Sequence, residues 1–135
     1  MWTEAWVGLP YEIGGRGPRA FDCVGLVIAL LAARRGIRVA DPAERLHDHR
    51  AALAAVEAGW RPVEAAEVGE GDALVFRGVN PGALHIGYAV DGRDMLHTGG
   101  RAAPGSAAPQ ASRVENWARP AWRALLIGAW RVDAV

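Results

Sequence analysis

The sequence predicts an α+β fold, with N-terminal helices packed on a central antiparallel β-sheet, and three observations carry that prediction. The segment CVGLVIALLAARR is apolar on nearly every face until Gly36, the mark of a buried central helix. Beyond residue 70 the period shortens to the runs DALVFR, HIGYAV and RDMLHT, which read as strands. The last two are joined by Asp91-Gly92, a hairpin signal. Helices first and strands after place the helices on one side of the sheet. With 135 residues, 51% of them hydrophobic, the chain suits one domain over 1–135.

Residues 1–8 form one or two helical turns, with Trp2 and Trp6 on one face toward the core. GLPYEIGGRGPRAF follows, a loop dense in glycine and proline. Asp22 is the candidate N-cap of the next helix, Cys23 its first residue and Gly36 its stop. DPAERLHDHRAALAAVEAGW carries a full helix start, with Asp41 as N-cap, Pro42 first and Glu44 third. Leu46, Leu53 and Val56 mark its buried stripe, and His47 and His49 its wet side. After the strands, GGRAAPGSAAPQAS over 99–112 reads as a mobile loop. SRVENW, the turn ARP and WRALLIGAWRV give two more strands. Trp2, Trp6 and Trp130 belong to the core, which leaves Trp117 and Trp122 as candidate cleft walls.

Fifteen basic residues balance fifteen acidic ones, so no long-range field gathers nucleic acid or an anionic membrane surface. No stretch has the length of a membrane span, and the start lacks a signal-peptide pattern. The expectation is a soluble chain made in the cytoplasm. The single cysteine excludes an internal disulfide and a CxxC pair.

Cys23 at a helix N-terminus is placed for lowered thiol pKa, because the unpaired N–H groups there act as about half a positive charge. A histidine then completes a nucleophile and base couple. His85 and His97, on the strands flanking Asp91-Gly92, are the candidates. A two-residue turn would put them on opposite faces. A three-residue connection over Val90, Asp91 and Gly92, closed by Gly92 in the left-handed conformation, puts His85 directly across from His97, with Cβ atoms about 5 Å apart. Gly87 and Ala89, on the same face, leave room for the helix that carries Cys23. Two other readings stay open at this point: a buried cysteine packing as a small hydrophobe beside hydrogen-bonded neutral histidines, and a zinc site completed by Asp94.

PYEIGGRGPRAFDCVGL resembles the active-site entry of the NlpC-type cell-wall cysteine peptidases, a papain-like family. GDALVFR and HIGYAVDGRDMLHT are similar to that family's later strands, and the likeness runs from Trp6 to Trp130. It implies a papain-like fold, with Cys23 as nucleophile, His85 as general base and acid, and His97 orienting His85. It also implies Tyr11 near the oxyanion position and Asp22 receiving a free amine of the substrate, beside its capping role. Val24 stands where many members have serine, which removes a hydroxyl from the substrate side.

The activity implied is hydrolysis of amide bonds in the peptide stems of peptidoglycan through a thioacyl enzyme, with no metal or organic cofactor. Trp6 ahead of Gly8-Leu9-Pro10-Tyr11, and the start Asp-Cys-Val-Gly-Leu-Val, are similar to the stand-alone phage-tail and gene-transfer-agent subset. That implies tail-like protein partners and delivery to the cell wall or periplasm by a phage-like particle. The alternative is a structural tail component that keeps the fold without activity.

Overall fold

The computed structural model describes residues 1–41, 59–78, 84–99 and 111–132. The predicted cover helix with His47 and His49 lies outside these residues, as does most of the 99–112 loop. A 3-10 turn (Trp2–Trp6) opens the chain, and the Gly-rich loop leads to helix α1 (Cys23–Arg35). Six strands follow: β1 (Arg61–Val63), β2 (Ala73–Arg77), β3 (Leu84–Ala89), β4 (Asp94–His97), β5 (Arg113–Asn116) and β6 (Leu126–Arg131). They form one antiparallel sheet in the order β1-β6-β2-β3-β4-β5. No helix among the described residues is long and apolar enough to cross a membrane.

Helix α1 begins and ends where its residues dictate. The Asp22 carboxylate accepts from the Gly25 N–H at 2.6 Å, and Gly36 closes the helix in the left-handed conformation. Leu26, Val27, Leu30 and Leu31 are buried against Tyr88 and Leu96, with Ile86 and Val90 packed at the margin. The other sheet face carries a second cluster, in which Leu74, Phe76, Ala89, Met95 and Trp117 are buried and Trp122 packs beside them. Trp122 belongs to a short helical turn, Pro120–Arg123, which overlaps the end of the expected ARP turn and takes Trp122 and Arg123 out of the expected strand WRALLIGAWRV, so each face of the sheet is covered.

The hairpin differs from expectation in register. Tyr88 pairs with Leu96 and Ala89 with Met95, so His97 lies opposite Gly87 and the two histidines are diagonal neighbours. The connection is still odd in length, which keeps them on one face, but it is shifted by one residue. Gly92 is not left-handed. The Asp91 carboxylate closes the turn instead, accepting from the N–H groups of Arg93 and Asp94 at 2.8 and 2.7 Å, the Asx-type bond that lets aspartate replace glycine in turns.

The expectation that α1 packs over Gly87 and Ala89 is also corrected. Residues alternate sides along a strand, and α1 lies on the Ile86 and Tyr88 side. The space at Gly87 is taken by Met95 and His97: a Cβ there would stand 2.9 Å from Met95 Sδ and 3.5 Å from His97 Cβ. Strand β1 was not expected. It is three residues long and contains Pro62, a composition that suits a sheet edge and leaves little pattern to read.

The loop is held against the front of α1 by backbone approach. The Asp22 N–H donates to the Gly15 carbonyl at 3.1 Å, and a Cβ on Gly25 would overlap that same oxygen. Gly25→Ala should therefore force loop and helix apart and destabilise the protein by about 1–3 kcal/mol. Thermal unfolding of the variant checks this, and an unchanged midpoint would refute the contact.

Candidate active site

Cys23 meets the sheet at a seam. On β3, the Ala89 N–H donates toward β2, to Asp72 O at 2.9 Å, and the Val90 N–H donates toward β4, to Asp94 O at 2.8 Å. By alternation the Ile86 N–H also points toward β4. The β3–β4 ladder stops at Tyr88, so that N–H has no strand partner on its side. The N–H groups of Ile86, Val24 and Cys23 stand near enough to the Cys23 sulfur to favour its thiolate form. The thiol thus lies at the open end between β3 and β4, near the residue next to His85.

On the other face, three side chains form a relay. His85 Nε2 and His97 Nδ1 are 2.8 Å apart, and His97 Nε2 lies 2.6 Å from Glu115 Oε2. The Arg113 Nε donates to the same carboxylate oxygen at 3.0 Å. The β4–β5 register causes this, since Met95 pairs with Glu115 and His97 with Arg113, placing all four on one face. Trp122 stacks on the His85 ring at 5.8 Å between centroids and meets His97 edge-on at 5.1 Å. Phe76 lies 6.2 Å from His85 on a tilted plane. Trp122 is thus the aromatic beside the histidines, whereas Trp117 is buried in the core and donates its indole N–H to Asp91 O.

Electrostatics follow from burial. Desolvation pushes the Cys23 thiol up to about 11, opposed by the nearby N–H groups of Ile86 and the helix front. Burial pushes His85 down to about 3, with His97 and Arg113 adding to the effect and Glu115 opposing it. His97 is lowered by burial despite the carboxylate beside it. Glu115 is lowered to about 2, chiefly by its bond to His97. The charge of the relay therefore resides on the carboxylate and the Arg113 guanidinium, and both rings are neutral.

The remaining expected site residues stand around the loop. Tyr11 is half-buried and bridges to Phe21. Its hydroxyl pKa is raised by burial first and then by the nearby Cys23 and Asp22 charges. A Cβ on Gly99, just beyond the end of β4, would clash with the Tyr11 ring, so ring and backbone close on one another beside the seam. Asp22 is buried with both oxygens engaged, one by the Gly25 N–H and the other by Arg16 Nη1 at 2.8 Å. Arg16 in turn holds Asp41 with Nε at 2.7 Å and Nη2 at 3.0 Å.

The structure brings His85 and His97 into direct contact and Cys23, Tyr11 and Asp22 into one cluster. Among the described residues no hydrogen bond joins the Cys23 sulfur to either imidazole, and no group of three or more His, Cys, Asp or Glu side chains converges as a metal site. Asp94 instead lies 3.6 Å from Arg93. Glu115 and Arg113 were not among the expected site residues. Their signal is the R-x-E spacing, which puts two charges on one strand face.

Cys23 at the seam and His85, one residue from the main chain it approaches, are the candidate pair for a proton exchange, and resting catalytic hydrogen bonds are often long. In the resting state the thiol keeps its proton. Below a pKa of about 11 the thiolate fraction grows about tenfold per pH unit. Alkylation of Cys23 by iodoacetamide should therefore accelerate steadily from pH 7 to pH 10; a rate already level at neutral pH would contradict a neutral pair.

Comparison with known proteins agrees with the fold. Of solved structures, an NLP/P60-family protein similar to a lipoprotein, from Staphylococcus aureus, shares 24% identity at TM-score 0.63, over 96% of this chain and 38% of that one. NlpC1 from Trichomonas vaginalis shares 19% at TM-score 0.66, over 96% and 41%. The NlpC/p60 domain of the peptidoglycan hydrolase SagA shares 23% at TM-score 0.58, over 95% and 91%. The chain thus spans about two fifths of the length of the first two. No match was found among curated proteins. The family profile of NlpC/P60 matches residues 8–131, nearly the whole described sheet and helix, and the chain belongs to the NlpC/P60 family.

Proposed function

We propose that this chain is a cysteine peptidase that hydrolyses amide bonds in the peptide stems of peptidoglycan. The observation that carries the reading is Cys23 as the first residue of α1, its sulfur near the main chain of the strand residue that follows His85. Support for the substrate comes from family membership and from the likeness to a domain of a peptidoglycan hydrolase.

In this reading the Cys23 S–H gives its proton to His85 and the sulfur attacks the amide carbonyl carbon. The oxyanion is met by the N–H groups of the helix front and by the Tyr11 hydroxyl, donors that match developing negative charge. When the C–N bond breaks, the protonated His85 returns the proton to the leaving amine. Water, deprotonated by His85, then attacks the thioacyl carbon and frees the Cys23 thiol. His97 orients His85 throughout, and the scheme draws on no cofactor. Asp22, already bonded to Gly25 and Arg16, would receive a substrate amine only by sharing its carboxylate with Arg16. Delivery by a phage-like tail, with stable contacts to tail proteins and action at the cell wall, completes the proposal; its support is the Trp6 and Asp-Cys-Val-Gly-Leu-Val pattern.

A second reading is a structural tail component without activity. It is favoured by the absence of a bond between sulfur and imidazole among the described residues. Purified peptidoglycan separates the two. The wild-type protein should release fragments with new amino termini, and Cys23→Ala should lower that release by about 10³-fold or more while remaining folded. A wild-type protein that releases none, with Cys23→Ala equally able to support particle assembly, would favour the structural role.

A further inference from the structure

The hydrogen bonds of the relay admit one placement of its protons. Glu115 is an ionised carboxylate gripped by Arg113, whose guanidinium also donates to the carbonyls of Ala111 and Gly99 at 3.2 and 3.3 Å. An ionised carboxylate only accepts, so the 2.6 Å contact requires a proton on His97 Nε2. A neutral imidazole carries one proton, which leaves a lone pair on His97 Nδ1. The 2.8 Å contact between that nitrogen and His85 Nε2 then requires a proton on His85 Nε2. His85 Nδ1 is left with the lone pair.

We propose that Glu115, anchored by Arg113, is a positioning residue that fixes the tautomers of both histidines through this chain and makes His85 Nδ1 the base that receives the Cys23 proton. The first half stands on the relay's contacts with both rings neutral; the second rests on the peptidase reading. Without the carboxylate, nothing in the relay selects between the two tautomers of His97, and His85 Nε2 can lose its role as donor. A wrong tautomer in such a pair can cost several orders of magnitude in rate while leaving structure intact. The carboxylate also favours the protonated form that His85 must pass through. Its loss therefore weakens the base and moves the acid limb of the pH profile to lower pH.

The test is a long-range ¹H–¹⁵N correlation of the ring nitrogens at pH 7.5, paired with kinetics of amine release from peptidoglycan. In the wild-type protein both histidines should show protonated Nε2 and lone-pair Nδ1. Glu115→Ala should give mixed tautomers and a kcat lower by about 10- to 100-fold with KM little changed. Glu115→Gln should keep the wild-type tautomers and most of kcat, since Arg113 holds the amide oxygen where the carboxylate oxygen was, but with the acid limb at lower pH. Proton on Nδ1 of either histidine in the wild-type protein overturns the proposal. So does a folded Glu115→Ala protein with unchanged tautomers, kcat and pH profile. Should Glu115→Ala fail to fold, the wild-type and Glu115→Gln spectra still decide it. A wild-type protein that cleaves nothing defeats the peptidase reading, and with it the assignment of Nδ1 as base, while its spectra still decide the tautomer chain.

Discussion

The constraint on which the site depends is the placement of the Cys23 sulfur near the Ile86 N–H, where the β3–β4 ladder has ended. A strand interior leaves few N–H groups unpaired, because an orphaned main-chain donor away from water costs about as much as a lost hydrogen bond. Here the β3–β4 ladder ends early at Tyr88, and the thiol lies near the donor left beyond it. The front of α1 therefore meets β3 at the residue beside His85. The Gly-rich loop serves the same end, since its Gly15 carbonyl and the Asp22 cap hold the helix front from behind.

The two faces of the sheet divide the labour. The α1 face is an apolar core around Leu26, Leu30, Tyr88 and Leu96, which positions the helix front that carries Cys23. The opposite face mixes a second core with a polar line running from His85 to Arg113, shielded by Trp122 and Phe76. Shielding keeps the rings neutral at rest, because burial disfavours the imidazolium more strongly than Glu115 favours it. A thiol and imidazole held neutral in this way do not form a standing ion pair, and under the peptidase proposal the proton passes only when substrate enters.

Much of this was legible in the residues. Asp22 and Gly36 fix the ends of α1, and the short apolar runs mark β2, β3 and β4. The odd connection that puts His85 and His97 on one face followed from loop parity. The offset of the pair did not, because it is set by a side chain: the Asp91 carboxylate takes the Arg93 and Asp94 N–H groups and shifts the turn by one residue. The side of β3 on which α1 lies was misjudged because small residues at Gly87 and Ala89 suggested room for a helix. The apolar alternation Ile86, Tyr88, Val90 is the stronger signal, as burial of those chains outweighs mere space. Glu115 and Arg113 escaped notice because charges two apart on an edge strand usually face water, and only pairing with β4 turns them toward His97.

The central claim is that the Cys23 sulfur becomes covalently bonded to the substrate's acyl carbon. Acid quenching soon after mixing with a peptidoglycan stem peptide, followed by proteolysis and mass analysis, tests this directly. The account predicts that the fragment containing Cys23 gains the acyl mass as a thioester and loses it again on neutralisation. Release of amine with that fragment unmodified at every time point would contradict it.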